Sequence, residues 1–471
     1  MRSTKIICTI GPKSKDRPVL SKMLSAGMDV ARINFSHGSH EEHREIIRSV
    51  REASKDAGKR VAILADLSGP KIRTGELVKG LSELKEGDVF SLLTQPVLGS
   101  EKEVYVNYQN LAQEVIKGDT ILLADGQIEL RVESVERDKV VCRVIVGGRL
   151  TAHQGVNLPG KELSLSPITE KDKDDMRLAI NQDVDWIAMS FVSKPEDIFS
   201  LRKLIQEGGS AIPVIAKIER REAAWNIEQI LGATDAVMVA RGDLGVEMAT
   251  EEVPIIQKKI IAAAMRKGKP VITATQMLES MVQAPRPTRA EASDVANAIF
   301  DGTDALMLSA ETAVGKYPVE TVRVMSSIAE RTEKNIDYAG LLAAKAGWVA
   351  GNVTDAISYA ACELATDIGA KAIVTATQTG NTARRVSKYR PPVPIIALGS
   401  DPAVVGQLSL SWGVFPFEVS PSRNVDEILV KAVEVAVTQG FVSKGDRIVI
   451  TAGALVNVPG TTNLIKVEEI T

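Results

Sequence analysis

Two carboxylates and a lysine open the chemical reading of this chain. Lys217 and Glu219 stand two residues apart in VIAKIERRE, and Asp243 closes the apolar run in VMVARGDLG. In a strand, residues i and i+2 share a face. That rule pairs Lys217 with Glu219, Arg241 with Asp243, and Ser309 with Glu311 in MLSAETA, and it groups Arg32, Asn34 and Ser36 in VARINFSHG. ILADLSGPKIRTG adds Asp66 and, past a turn, Arg73; VITATQ adds Thr275. Glu219 and Asp243 are hard oxygen ligands suited to a Mg²⁺ that keeps several waters and takes substrate oxygens. Arg32 and Arg73 match phosphate geometry, and Lys217 is a compact cation able to meet a transferring phosphoryl group. Gly242 permits close approach of a substrate to the backbone, and the N–H groups opening the next turn suit a carboxylate. Thr275 has no neighbouring His or Cys, which argues against a covalent nucleophile. The set points to a Mg²⁺-assisted reaction on a phosphorylated carboxylate.

Two other readings compete. Arg241-Gly242-Asp243 can be an adhesive tripeptide on an exposed loop, and His37, His40 and His43 recur every three residues as a zinc site would. Cysteine partners for zinc are missing, and Ser39 to Glu42 has the form of a capping box at a helix start. The dinucleotide pattern GxGxxG and the phosphate-loop pattern GxxxxGK[ST] are both absent.

These residues must be positioned by something. From residue 4 to about 70 the order is strand, helix, strand, helix, strand: KIICTIGP, a helix around Pro18–Ala26, MDVARINFSHG, a helix around His40–Ala57, and RVAILADLSGP. Residues 71 to about 162 change texture to short β-type runs between Gly-Asp and Gly-Gly turns, as in a small closed β domain. Five more strand and helix units follow, through DVDWIAMS, IPVIAKIE, TDAVMVARGD, KPVITATQ and TDALMLSAE. Three units before the insert and five after it make a (β/α)8 barrel, in which reacting groups sit where strands end. A third alternating segment from about 345 reads as an open, mainly parallel α/β domain. The expected division is a catalytic barrel of residues 1–69 and 163–340, a β lid of 70–162, and a C-terminal domain of 345–471.

Composition bounds the function. The 471 residues imply roughly two to four domains. A net charge of −3 leaves no basic field for a nucleic-acid backbone, and 4% aromatic residues leave little for base stacking. No apolar stretch approaches the roughly 20 residues that span a bilayer. The opening MRSTKIICTIGP is too polar for a secretory signal. Cys8, Cys142 and Cys362 are odd in number and far apart, which points to reduced thiols and a cytoplasmic location.

CTIGP, RINFSHG, GPKIRTG, GVNLPG, KIE, VMVARGDLGVE, ATQMLESM, the stretch Pro287–Pro318 and the terminal GTTN together resemble pyruvate kinase, in order and over essentially the whole chain. The resemblance implies a central barrel, a β-barrel lid inserted after its third strand, and a C-terminal regulatory domain. It implies conversion of phosphoenolpyruvate and ADP to pyruvate and ATP in glycolysis. Glu219 and Asp243 then resemble the Mg²⁺ (or Mn²⁺) ligands; Gly242, Asp243 and Thr275 the holders of the substrate carboxylate; Lys217 the cation facing the phosphoryl group. Arg32 and Arg73 resemble the phosphate clamp. Asn34, Ser36, His37 and Arg73 lie where the family contacts nucleotide, and Thr275, with Ser309 and Glu311 behind it, lies near where the enolate is protonated. The family is commonly a homotetramer. A mutase or aldolase-type barrel would need neither lid nor C-terminal domain, and a silent scaffold would not need the polar set.

Two departures and one further loop carry expectations. Gln154 stands where many relatives have a basic residue before GVNLPG. Many relatives also require K⁺, held by residues equivalent to Asn34, Ser36, Asp66 and the backbone of Leu67, and carry Glu where this chain has Lys71. Relatives with Lys there tend to work without K⁺, because an ammonium can supply the charge, so K⁺ is expected to be dispensable here. In AIVTATQTGNTAR a strand ends in Thr377, Thr379, Gly380 and Thr382 at a helix start, which reads as a phosphate cradle or as ordinary helix capping. The family places its sugar-phosphate effector on this loop, near GTTN.

Overall fold

The computed structural model describes residues 1–161, 163–349, 351–453 and 462–471. Glu162, the last residue assigned to the lid, and Gly460 and Thr461 of GTTN lie outside the described residues. Strands β1 (Lys5–Thr9), β2 (Val30–Asn34) and β3 (Ala62–Asp66) come first. The insert follows, with β4 (Leu81–Leu84), β5 (Val89–Leu93), β6 (Glu103–Tyr105), β7 (Thr120–Leu123), β8 (Ile128–Val135), β9 (Lys139–Val146), β10 (Gly148–Thr151) and β11 (Val156–Asn157). Then come β12 (Trp186–Met189), β13 (Val214–Ile218), β14 (Ala236–Ala240), β15 (Val271–Ala274) and β16 (Ala305–Leu308). The C-terminal part holds β17 (Ala372–Ala376), β18 (Ile395–Gly399), β19 (Val414–Glu418), β20 (Arg447–Gly453) and β21 (Thr462–Glu469).

Eight parallel strands close in the order β1-β16-β15-β14-β13-β12-β3-β2. Each is a short, mostly apolar run, buried throughout except at Asn34 of β2, as a sheet covered on both faces demands. Helices alternate with them, from Arg17–Ala26 to Pro318–Glu333. The helix His40–Asp56 begins with the expected capping box: the Ser39 hydroxyl accepts from Glu42 N–H while the Glu42 carboxylate accepts from Ser39 N–H. Because Ser39 stops the helix there, β2 is joined to it by the short loop Phe35–Gly38.

The insert forms a six-stranded sheet, β11-β7-β8-β9-β5-β6, and a two-stranded sheet, β10-β4, around a core of its own. It leaves the barrel after β3, at the C-terminal end of the strands, and so stands over the mouth. The C-terminal sheet, β19-β18-β17-β20-β21, is parallel except for β21, a strand the sequence patterning did not announce. This domain covers the opposite end of the barrel. Leu410 packs into the barrel interior, Trp186 Nε1 donates to Gln407 O at 3.3 Å, and Arg390 pairs with Asp304 at 3.1 Å. Among the described residues no helix is long and apolar enough to cross a membrane.

Candidate active site

At the mouth a cleft of about 1390 Å³ opens between barrel and insert. His37, Gly242 and Asp243 line it from the barrel, and Lys71, Arg73 and Gln154 from the insert side. Beneath it lies a buried ionic cluster. The Lys217 ammonium is 2.8 Å from Glu219 Oε1 and 3.3 Å from Asp66 Oδ1, and it donates to Ser190 Oγ at 2.7 Å. Arg32 Nε donates to Asp66 Oδ2 at 2.7 Å, and Arg32 also reaches Thr9 Oγ1 at 2.9 Å. Four charges are therefore arranged in alternation where strands β2, β3 and β13 end. The arrangement is what the barrel makes of i, i+2 spacing: β2 and β3 are in register at Asn34 and Asp66.

Burial by itself would lower the Lys217 pKa, but the carboxylates of Asp66 and Glu219 outweigh it and raise it. The two carboxylates therefore favour its charged form. Asp66 is lowered, since Lys217 and Arg32 overcome its burial. Glu219, 2% exposed, is held at its second oxygen by Phe191 N–H at 2.7 Å. Asp243 differs: among the described residues it has no hydrogen bond or ion pair. Burial, then the like charge of Glu219, push its pKa up to about 6. Two close carboxylates, one unpartnered, suit a divalent cation. Among the described residues no cluster of three His, Cys, Asp or Glu could hold a metal. A metal here would complete its shell with water and substrate oxygens, as Mg²⁺ commonly does.

Gly242 N–H donates to Thr275 Oγ1 at 2.8 Å, and that hydroxyl donates to Ala274 O at 2.6 Å. Thr275 (φ 69°), Gln276 (φ 56°) and Phe191 (φ 56°) all have left-handed backbones. Such conformations cost bulky or β-branched residues on the order of 1–3 kcal/mol each and concentrate at functional sites. Lys71 is exposed as a residue, yet its pKa is lowered, first by desolvation and then by Lys217, with Glu219 and Asp243 opposing. Arg73 donates to His153 O at 3.1 Å. His37 is lowered by desolvation and by Lys71 and Arg73. Asn34 Oδ1 accepts from Ser36 N–H at 3.1 Å, and Leu67 O accepts from Ser190 Oγ at 2.7 Å. Gln154 turns its amide into the insert, onto Thr151 Oγ1 at 2.6 Å.

Three expectations need correction. Arg241 does not pair with Asp243: β14 ends at Ala240 and Arg241–Glu247 is helical, so residues two apart diverge. Arg241 instead reaches Asp294 at 2.7 Å. Ser36 lies past the end of β2, in an Asn34 turn rather than on the strand face. Ser309 and Glu311 also lie past their strand. They meet because fully buried Glu311 turns back to accept from Ser309 N–H at 2.7 Å and Leu278 N–H at 3.2 Å, tying together the loops after β15 and β16. Burial raises the Glu311 pKa. The three histidines do not converge: His40 Nε2 lies 2.7 Å from Asp175 and His43 Nε2 lies 2.8 Å from His37 O. Ser190 and Phe191, partners of Lys217 and Glu219, were missed. The available signal was their position directly after the apolar run Trp186–Met189.

At the far end of the chain Thr382 Oγ1 lies 2.6 Å from Thr462 Oγ1, and Gly380 (φ 78°) caps the helix Asn381–Lys388. Arg384 reaches back to Thr379 O at 2.6 Å, and Thr377 is buried.

Comparison with known proteins agrees with this arrangement. A family model described as pyruvate kinase, barrel domain, matches residues 1–322, and one described as pyruvate kinase, alpha/beta domain, matches residues 355–468. The chain is 49% identical over 472 residues to a pyruvate kinase of Geobacillus stearothermophilus, covering 100% of this chain and 80% of the relative. It is 45% identical to a pyruvate kinase of Clostridium acetobutylicum, with 100% of both chains covered. The crystal structure of a pyruvate kinase from Cryptosporidium parvum superposes with a TM-score of 0.95 at 39% identity, covering 100% of this chain and 96% of that one. With the closed barrel, the inserted sheet and the charged mouth already in place, these matches show that the chain belongs to the pyruvate kinase family.

Proposed function

We propose that this pyruvate kinase transfers the phosphoryl group of phosphoenolpyruvate to ADP over the Lys217–Glu219 pair, with Glu219 and Asp243 as ligands of Mg²⁺ or Mn²⁺. The observation that carries this is a buried ammonium 2.8 Å from one carboxylate, beside a second carboxylate with no partner among the described residues. When bound, the metal supplies charge neutralisation for the phosphoryl oxygens. Lys217 adds a second fixed cation at the transferring group, and Arg32 and Arg73 clamp its oxygens. Phosphoryl transfer of this kind needs mainly positioning and neutralisation. The P–O bond to the enol oxygen breaks and a P–O bond to an ADP β-phosphate oxygen forms. The enolate then takes a proton at carbon, near Thr275, whose loop Glu311 holds in place. The substrate carboxylate takes the Gly242 N–H that Thr275 otherwise accepts. Asn34, Ser36 and His37 contact the nucleotide. Pyruvate release from phosphoenolpyruvate, measured with and without ADP, tests the reading; no ADP-dependent pyruvate would overturn it.

Lys71 replaces K⁺ in this scheme. Lys71 lines the same cleft as Asp243, so its ammonium adds positive charge at the mouth where the phosphoryl group is transferred. Activity with tetramethylammonium as the counter-ion should match activity in K⁺ within about twofold. Lys71→Glu should become K⁺-dependent by about tenfold or more, with Asn34, Ser36, Asp66 and the Leu67 carbonyl as ligands. A wild-type enzyme that is silent until K⁺ is added would refute the replacement.

The loop of Thr377, Thr379, Gly380 and Thr382 is the proposed site of an activating phosphorylated metabolite: a sugar monophosphate, AMP or fructose 1,6-bisphosphate. Hydroxyls and N–H groups at the start of the helix Asn381–Lys388 suit a phosphate. Calorimetry with each of the three should find one that binds, and Thr382→Glu should abolish that binding by like-charge repulsion; unchanged affinity would place the effector elsewhere. The enzyme is proposed to act in the cytoplasm as a homotetramer, with effector signals crossing subunit interfaces.

A further inference from the structure

The insert is joined to the barrel by two crossings of the chain, outward through Leu67–Pro70 and back through Ser164–Thr169. One carboxylate holds both. Asp172, 1% exposed, accepts from Gly69 N–H at 3.0 Å and Ser68 Oγ at 3.2 Å with Oδ1, and from Thr169 N–H at 2.9 Å and Thr169 Oγ1 at 2.6 Å with Oδ2. Of these four, a capping box needs only the bond from Thr169 N–H. The first pair reaches a distant segment, and that segment is tightly seated. Gly69 has φ +65°, and a Cβ there would stand 2.9 Å from Phe191 Cδ2 and 3.0 Å from Ser190 Cβ. The outgoing crossing therefore rests on the same turn that partners Lys217 and Glu219.

The neighbouring residue grips a different loop. Lys171 Nζ donates to Phe35 O at 2.7 Å and to Asp175 Oδ2 at 2.6 Å. Asp175 is fully buried and its other oxygen meets His40 Nε2 at 2.7 Å. Phe35 packs on His43 with centroids 4.3 Å apart, and His43 holds His37 O. One helical turn thus touches the insert crossings on one side and the loop Asn34–His37 on the other.

We propose that the first turn of the helix Glu170–Asn181 couples the two: Asp172 and Lys171 are positioning residues that set lid position and nucleotide-loop position together, so that ADP binding and lid closure are one event. The proposal rests on the assignment of that loop to nucleotide contact.

The test uses the full chain with Lys171→Met, Lys171→Arg and Asp172→Asn, steady-state kinetics, and amide hydrogen exchange with and without ADP. Lys171→Met should raise the KM for ADP about tenfold while kcat and the KM for phosphoenolpyruvate stay within about twofold, and Lys171→Arg should restore most of the loss. Asp172→Asn should speed exchange at Phe35–His37 as well as at Ser68–Gly69, although Asp172 bonds to nothing in the first segment. Exchange altered only at Ser68–Gly69, or an unchanged KM for ADP in Lys171→Met, would overturn the coupling. Should Asp172→Asn fail to fold, Lys171→Met, whose side chain is half exposed, carries the same exchange test in reverse, with faster exchange expected at Ser68–Gly69. Absence of ADP-dependent turnover in the wild type would instead count against the reaction, and the exchange arm would still decide the coupling.

Discussion

Exchanging Lys217 for alanine is expected to lower kcat about 10³-fold, the size seen when one preorganised electrostatic donor is removed from a water-poor site. The reason lies in what surrounds the ammonium. Asp66 and Glu219 favour its charged form despite burial, so it is expected to act as a fixed positive charge and not as an acid that delivers a proton. Fixed charge contributes most where it meets charge that develops during transfer, which is why kcat and not KM should move. The variant also leaves Glu219 buried without its cation, at a stability cost of about 3 kcal/mol. Melting temperature measured alongside kinetics separates the two effects. A change confined to KM would reassign Lys217 as a substrate-binding residue.

The second large effect concerns the carboxylates. Asp243→Asn and Glu219→Gln should each reduce turnover by about 10²-fold or more at saturating substrates, with the divalent-metal requirement shifted to higher concentration. The two should differ in stability. Asp243 has no partner among the described residues and sits beside a like charge, so Asp243→Asn should be no less stable than the parent in the absence of metal. Glu219 accepts from Lys217 and from Phe191 N–H, so Glu219→Gln should melt lower. A Mg²⁺ titration of activity decides the assignment: near-native turnover and metal dependence in both variants would rule it out. Equal melting temperatures would show that the Glu219 contacts are not what hold that turn.

What was legible in the sequence was local. Buried parallel strands read as apolar runs, and a strand that stops at a barrel mouth leaves its first polar residue exposed to substrate. Lys217, Glu219, Asp66, Asp243 and Thr275 could therefore be found from position and type. Ser39 and Glu42 announced a helix start by a contact three residues long, and the structure contains it. The limit was reached where a strand ended. Alternation paired Arg241 with Asp243, but the chain had already turned helical, and the guanidinium went to Asp294 on another helix. The contacts that decide chemistry were set by closure of the barrel: Lys217 against Asp66, Glu219 against Phe191, Gly242 against Thr275. None of these pairs is near in sequence except through strand neighbours, and their geometry follows from register between strands, which a single strand cannot encode. Asp172 shows the same limit most plainly. By sequence it is one acidic residue in a helix start; only the return of the chain from the insert places Gly69 within its reach. Side-chain type and periodicity determined what this protein could do, and tertiary closure, which joins distant strand ends in a low-dielectric mouth, determined which charges stand together to do it.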